Sequence, residues 1–493
     1  MSRGTSLVAD VCVIGAGAGG AVVAAELAEG GARVVLLEQG ARHDPADFTA
    51  HPPEMLARLY RDGGQTVTLG SPPILLPLGR GLGGTTLVNS GTCFRTPPRV
   101  LDRWVREFGL DGLDAAALAP AFARVEQALS IAEVTPELAG RNAEVARRGA
   151  AALGWSHGYL RRNAEGCVGS GVCAFGCPTG AKRDTGSTYV PRLEAAGGRV
   201  VTHADVRRIV VEDGRVRRVE ARIGATRPRT LTVDADRVVV ACGTIHTPLL
   251  LARSGIGGGS GQLGRNLSLH PATAGFALMD EVVDMVRGVP QSFYVDEFAD
   301  EGIVFEGVAG PPAYAAAALP LSGRRHAEAM ARYRNLAQFG LMVSDSSRGR
   351  VHVVAGRPLI RYDLGAADLA KVRSGLAKLE QLFLAAGARE VYLPLPSGRR
   401  PHDARPRDLK LMAFHPLGTA RAHRDPALGV VDGDLRVHGV EGLHVADGAV
   451  VPSALGVNPQ LTIMALATRL AFALLDRSVP TAEPTTEEAA CRS

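Results

Sequence analysis

Three groups of residues in this chain have types and spacings that could do chemistry. Gly15, Gly17 and Gly20 form a G-x-G-x-x-G turn, and the carboxylate of Glu38 follows about twenty residues on. Cys167, Cys173 and Cys177 crowd into the stretch GCVGSGVCAFGCPTGAK. Histidines gather toward the C-terminus at His415, His423, His438 and His444, with His270 standing earlier. Each group suggests its own chemistry. In the first, Gly15 permits a tight turn, Gly17 lets a pyrophosphate approach the backbone and Gly20 lets a helix pack on a strand. The helix N-terminus adds N–H groups and the positive end of its dipole. Glu38 could accept hydrogen bonds from both ribose hydroxyls, and an acid there disfavours NADP while leaving FAD and NAD open. The three thiols could hold a metal or an iron–sulfur cluster, or simply form a tight loop. Their C-x5-C-x3-C spacing lacks the paired ligands of a structural zinc site. Histidine titrates near neutrality and suits a general base.

These residues need elements to position them. The stretch ADVCVIGAGAGGAVVAAELAEGGARVVLLEQG reads as strand, glycine turn, helix and second buried strand, ending at Glu38. The stretch VRRIVVEDGRVRRVEARI, residues 206–223, reads as two strands about Asp213-Gly214. AADLAKVRSGLAKLEQLFLAAG reads as a helix, and residues 268–404 carry no nucleotide signal. There is no internal repeat.

Composition narrows the class. The 493 residues are 46% hydrophobic and 21% charged, a globular balance with room for a large core. The net charge of +5 is spread thinly, which argues against a nucleic-acid surface. An apolar strand starts within the first ten residues, so we expect no signal peptide. We expect no membrane span either, because no apolar run is long enough. Seven unevenly spread cysteines argue against a disulfide framework, and the cytoplasm is the expected compartment. The polar end, residues 481–493, reads as a flexible tail.

Two further glycine-rich stretches carry a resemblance. GTIHTPLLLARSGIG, residues 243–257, follows the strand DRVVVACG and resembles the second signature of the glucose–methanol–choline (GMC) flavoprotein oxidoreductases. GRGLGGTTLVNSGTCFRTP, residues 79–97, resembles their first signature, but the family's aromatic falls one residue late, at Phe94. GRNLSLHP, FHPLGTARAH, VVDGDLRVHGVEGLHVADGAVVP and GVNPQLTIMALATRLA extend the likeness in order, to about residue 475.

The resemblance implies an α/β fold. A Rossmann-like FAD-binding domain would be assembled from residues 1–100, 186–267 and 405–480. An α+β substrate or cap domain with a mostly antiparallel sheet would come from residues 101–185 and 268–404. It implies FAD contacts at Arg80, Gly83, Gly84, Thr85 and Asn89, at the Val206 backbone, at Asp447 and Gly448, and at the turn of Asn458 and Pro459. It implies oxidation of a CH–OH group, with His415 taking the hydroxyl proton, Asn458 orienting the hydroxyl and flavin N5 taking the hydride. The substrate would be a small-molecule alcohol (long-chain alcohol, sterol, sugar or natural-product hydroxyl), and the electrons would pass to O2 or another acceptor. Lyase or decarboxylase chemistry, or a non-catalytic FAD electron-transfer role, are the alternatives. The cysteine loop resembles both the [3Fe–4S] loop of FAD-dependent sugar dehydrogenases and a cluster-free turn over the cofactor, so Cys167, Cys173 and Cys177 are candidate cluster ligands.

Overall fold

The computed structural model describes residues 5–224 and 228–480; the expected flexible tail, 481–493, lies outside them. Strand β1 (Thr5–Ile14) runs into the first glycine turn, helix α1 (Gly20–Glu29) follows, and β2 (Val34–Leu37) returns beside β1 in parallel. Val11 to Ile14 and all of β2 are buried. That suits parallel strands covered on both faces, which need no polar alternation.

The parallel sheet grows from distant parts of the chain. Arg199–Val201 joins β2 in parallel, and Arg229–Val240 joins β1 on its other side. Leu443–Val445, some two hundred residues later, adds in parallel to Arg229–Val240. The first half of Arg229–Val240 also pairs antiparallel with Arg215–Ile223, which pairs with Ala204–Glu212. The hairpin between the last two turns at Asp213-Gly214, both at positive φ, as a tight two-residue turn requires. Seven strands thus form one sheet.

A second sheet of eight strands centres on Ala272–Leu278, Leu336–Val343 and Ile303–Gly307, paired antiparallel. Helices Pro136–Leu153 and Ala366–Ala385 cover it with Val145, Ala146, Leu376, Leu379 and Phe383, all in its buried core. Among the described residues no helix is long and apolar enough to cross a membrane.

Packing divides the chain differently from the expected boundary at residue 100. Helices Pro98–Phe108 and Ala115–Ala128, expected on the cap side, bury Leu101, Trp104, Leu118, Phe122 and Val125 in the core of the first sheet. Conversely, Ile74–Leu75 and Leu411–Met412 belong to the second sheet. An amphipathic helix announces that it has an apolar face but not which sheet that face covers.

Trp104 is fully buried, and its Nε1–H donates to Ser453 Oγ at 2.9 Å. Replacing it by alanine should cost about 3–5 kcal/mol. We expect Trp104→Ala to lower the denaturant midpoint at which bound flavin is released, since this core carries the nucleotide sheet.

Candidate active site

The parallel strands end side by side, and their C-terminal turns form one wall of a cavity of about 1100 Å³. Gly15 leaves β1 at positive φ. A Cβ at Gly19 would stand 1.7 Å from the Ala446 carbonyl oxygen, so backbone packs on backbone there. Gly19 stands inside the motif, but the G-x-G-x-x-G spacing does not single it out. Gly17 is the open one: a Cβ there would come no closer than 3.9 Å to Gly84. Both glycines line the cavity.

Two buried carboxylates brace this wall. Glu38 accepts from Ala16 N–H at 3.0 Å on one oxygen and from Gly40 N–H at 2.7 Å on the other. Burial raises its pKa, opposed by those two donors and by the charge of Arg61. Each oxygen keeps acceptor capacity toward the cavity. Asp447 accepts from Thr247 Oγ1–H at 2.5 Å, Gly243 N–H at 2.9 Å and Ala449 N–H at 2.7 Å. Its pKa is likewise raised by burial against those donors. Asp447 therefore ties the turn after Arg229–Val240 to the turn after Leu443–Val445.

Of the other expected cofactor contacts, Gly84, Thr85, Asn89, Val206, Gly448 and Pro459 line the same cavity. Three do not. Gly20 begins α1, where a Cβ would collide with the Gly15 carbonyl oxygen. Gly83 is buried behind the wall at positive φ, and Arg80 is exposed to solvent. A signature match fixes the loop, but only the pleat of the loop decides which residues face inward.

The second wall comes from the other sheet, and a polar cluster forms where it meets the turn of Asn458 before the helix Gln460–Leu474. His415 Nε2 lies 3.5 Å from Asn458 Nδ2. His415 Nδ1 and Asn458 Oδ1 are buried without a hydrogen-bond partner. Burial, with a smaller contribution from His270, lowers His415 to about 3, so the imidazole is neutral at ordinary pH. His270 sits edge-on to His415, ring centroids 5.6 Å apart, and does not line the cavity. Its Nε2 accepts from Leu455 N–H at 2.9 Å and Gly456 N–H at 3.3 Å, which supports the turn before Asn458. His423, His438 and His444 lie away from the cavity lining.

Glu306 joins this cluster and was not anticipated. It is 7% exposed, and its Oε2 accepts from Asn458 Nδ2–H at 3.3 Å and from Gln291 Nε2–H. Burial pushes its pKa up to about 7, against those two hydrogen bonds. Its signal in the sequence was a lone acid in an apolar strand, IVFEG. Gln460 also lines the cavity, its Oε1 accepting from Asn89 Nδ2–H. It was legible only as the residue after the Asn-Pro pair.

The cysteine loop does not make a metal site. Cys167, Cys173 and Cys177 face a space of only about 10 Å³, room for about one water. Among the described residues no group of three or more His, Cys, Asp or Glu side chains could hold a metal ion. The loop is organised by cations instead. Arg162 Nη2–H donates to Cys173 Sγ at 3.4 Å, and buried Lys182 Nζ donates to the carbonyls of Leu87, Asn89 and Cys173. Although burial opposes it, the Thr179 hydroxyl and the Lys182 N–H and charge hold the Cys177 thiol below its ordinary pKa. Of the two readings of the loop, the [3Fe–4S] cluster finds no support here, and Gly171, Ala174 and Phe175 line the large cavity, as a cluster-free turn over the cofactor would.

A glycine turn at parallel strand ends, with a buried carboxylate at the end of the next strand, forms a wall of the kind that binds a dinucleotide. The family model for GMC oxidoreductases matches residues 56–272 in its N-terminal part and residues 345–467 in its C-terminal part. An uncharacterised GMC-type oxidoreductase of Mycobacterium tuberculosis is 44% identical over 478 residues, covering 94% of this chain and 75% of that protein. A long-chain-alcohol oxidase of Arabidopsis thaliana is 28% identical, covering 93% of this chain and 65% of its own. Among solved structures, a formate oxidase of Aspergillus oryzae has a TM-score of 0.76 at 18% identity, over 97% of this chain and 99% of that one, and so shares the fold. This chain belongs to the GMC oxidoreductase family, whose members are FAD flavoproteins.

The residues fit FAD. The space over Gly17 is open, Glu38 has acceptor capacity to spare, and one cavity runs from both to His415 and Asn458.

The raised pKa of Glu306 has a consequence for stability. Below about pH 4.5 the group is protonated in both folded and unfolded chains. Between about 4.5 and 7 the unfolded chain loses the proton first, so the wild type loses stability as pH rises, and the penalty is constant above about 7. Glu306→Gln carries no such penalty. It should stabilise the protein by up to about 3 kcal/mol at high pH and by almost nothing at low pH. Thermal midpoints of both proteins, compared across pH, check this.

Proposed function

We propose that this flavoenzyme oxidises a primary or secondary alcohol to an aldehyde or ketone. The observation that supports it most is the neutral imidazole of His415 beside the Asn458 amide, 3.5 Å apart on the wall of the shared cavity. When bound, FAD would supply the two-electron, hydride-accepting chemistry. The remaining tasks fall to the chain.

His415 Nε2 accepts the hydroxyl proton. Its low pKa keeps it in the basic form, ready to take that proton. Asn458 Nδ2–H donates to the substrate oxygen as that oxygen becomes alkoxide-like, which is the moment when a fixed donor matters most. Asn458 cannot titrate, so it offers this donor without competing for the proton.

Glu38 would hold the ribose hydroxyls through its free lone pairs. The open backbone at Gly17 and the N-terminus of α1 would hold the pyrophosphate. Gly84, Asn89 and the turn of Asn458 and Pro459 would flank the flavin ring. The Val206 backbone would meet the adenine, its carbonyl fixed by Arg253 Nη2–H at 2.8 Å.

The lining supports one substrate class. Phe276, Phe414, Leu341, Met342 and Ile463 give the wall an apolar character. With the likeness to a long-chain-alcohol oxidase, this favours an alcohol with a substantial apolar body. O2 or another acceptor would reoxidise the flavin.

Mixing the holoprotein under nitrogen with a panel of fatty, sterol, sugar and aryl alcohols tests the reading. We expect at least one member to bleach the flavin with formation of its carbonyl product, and reoxidation with oxygen or a quinone to identify the acceptor. His415→Ala should slow that bleaching by about 10²–10⁴-fold while leaving flavin binding intact. An oxidised flavin throughout the panel would remove the alcohol reading.

A further inference from the structure

The Asn458 side chain has two ends of nearly equal size, a donor NH2 and an acceptor oxygen. Only its surroundings choose which end faces His415. We propose that Glu306 makes that choice: it is a positioning residue whose carboxylate anchors Asn458 Nδ2, holding the amide's donor end toward His415 and the substrate oxygen. The chemistry rests on the alcohol-oxidation reading, and the geometry does not.

Glu306 lies on the strand Ile303–Gly307, in the middle of the second sheet. An ionised carboxylate accepts and cannot donate, so it takes one hydrogen of Asn458 Nδ2 and repels Oδ1. The second Nδ2 hydrogen is then left for the His415 side, 3.5 Å away. Asn458 Oδ1 is turned from both and has no partner. As the substrate proton leaves for His415, negative charge grows on the substrate oxygen. A donor at that point stabilises the transition state, and an acceptor there would oppose it.

Protonated Glu306 behaves differently. It gains an O–H that can donate to Asn458 Oδ1, so the reversed amide becomes competitive and the acceptor end faces His415. The groups around Glu306 leave this switch to Glu306 itself. Gln291, from the segment before Phe293–Val295, is an uncharged donor. Tyr294 stands opposite on Phe293–Val295, and Gly340 opposite on Leu336–Val343. His415, beyond Asn458, is neutral, with its pKa lowered to about 3. Among the described residues no cation contributes to the electrostatics of Glu306, whose partners are Asn458 and Gln291. The carboxyl has its pKa near 7, so of this cluster it is the member that titrates in the neutral range.

Two measurements on Glu306→Gln holoprotein test the proposal. The first needs no turnover: the side-chain amide resonance of Asn458, in isotope-labelled protein and assigned by its loss in Asn458→Ala. It should shift between about pH 5 and pH 9 in the wild type and stay fixed in Glu306→Gln. The second is anaerobic flavin reduction by dodecanol. In the wild type its rate should fall about tenfold per pH unit below the Glu306 inflection. In Glu306→Gln that limb should vanish, with the maximal rate about tenfold lower and the half-saturating concentration little changed. The proposal is overturned by an Asn458 resonance that titrates alike in both proteins or in neither, or by a rate limb that survives the substitution. If neither dodecanol nor the rest of the panel bleaches the wild-type flavin, the alcohol reading fails, and the amide titration alone decides the role of Glu306.

Discussion

Two carboxylates at strand ends hold the nucleotide wall together, and they do it in the same way. Glu38 follows β2 and grips the turn after its neighbour β1 through Ala16 N–H. Asp447 follows Leu443–Val445 and grips the turn after its neighbour Arg229–Val240 through Gly243 N–H and Thr247. In each case an acid at the end of one parallel strand closes the loop leaving the next. Burying a carboxylate costs several kcal/mol unless donors replace its hydration, and here backbone N–H groups and the Thr247 hydroxyl do so. Among the described residues no side-chain cation hydrogen-bonds either acid directly. The turns are therefore fixed by hydrogen bonds that lie within the wall, and the cavity side of each turn stays free for a ligand.

The close approach of these turns sets the other constraint. Backbone meets backbone where Gly15 faces the Ala241 carbonyl, Gly19 the Ala446 carbonyl and Gly84 the Gly17 Cα. Four chain segments, separated by up to several hundred residues, converge at those contacts. Any side chain there would push the strand ends apart and open the wall that the acids close. The glycines and the acids are thus two halves of one device: the glycines let the segments touch, and the carboxylates keep them touching.

Much of this wall was legible in the sequence because each part is local. A turn, its helix and the acid after the next strand all fall within one short βαβ unit, and the repeated glycine signatures mark the other strand ends. The Asp213-Gly214 hairpin was legible for the same reason. What stayed hidden depends on side-chain direction or on contacts across the chain. Arg80 matched its signature yet is exposed, because neighbouring residues of a turn face opposite ways. Helices Pro98–Phe108 and Ala115–Ala128 pack on the first sheet, which no local signal states, since an apolar face carries no address. The cysteine spacing suggested a cluster, and no spacing could reveal that Arg162 and Lys182 already occupy the polar interior of that loop.

Glu306 shows the same limit most sharply. Its neighbours in sequence are apolar strand residues, and Asn458 lies about 150 positions away, so nothing local joins them. The second sheet joins them. Pairing Ile303–Gly307 between Phe293–Val295 and Leu336–Val343 fixes the strand, and the strand fixes which way Glu306 points. The two walls of the cavity thus use carboxylates for different ends. On the nucleotide wall, Glu38 binds only backbone amides, and Asp447 binds two of them besides the Thr247 hydroxyl, so their protonation state changes strength more than geometry. On the other wall, Glu306 binds a side-chain amide that can reverse, so there the protonation state of a buried acid acts on orientation.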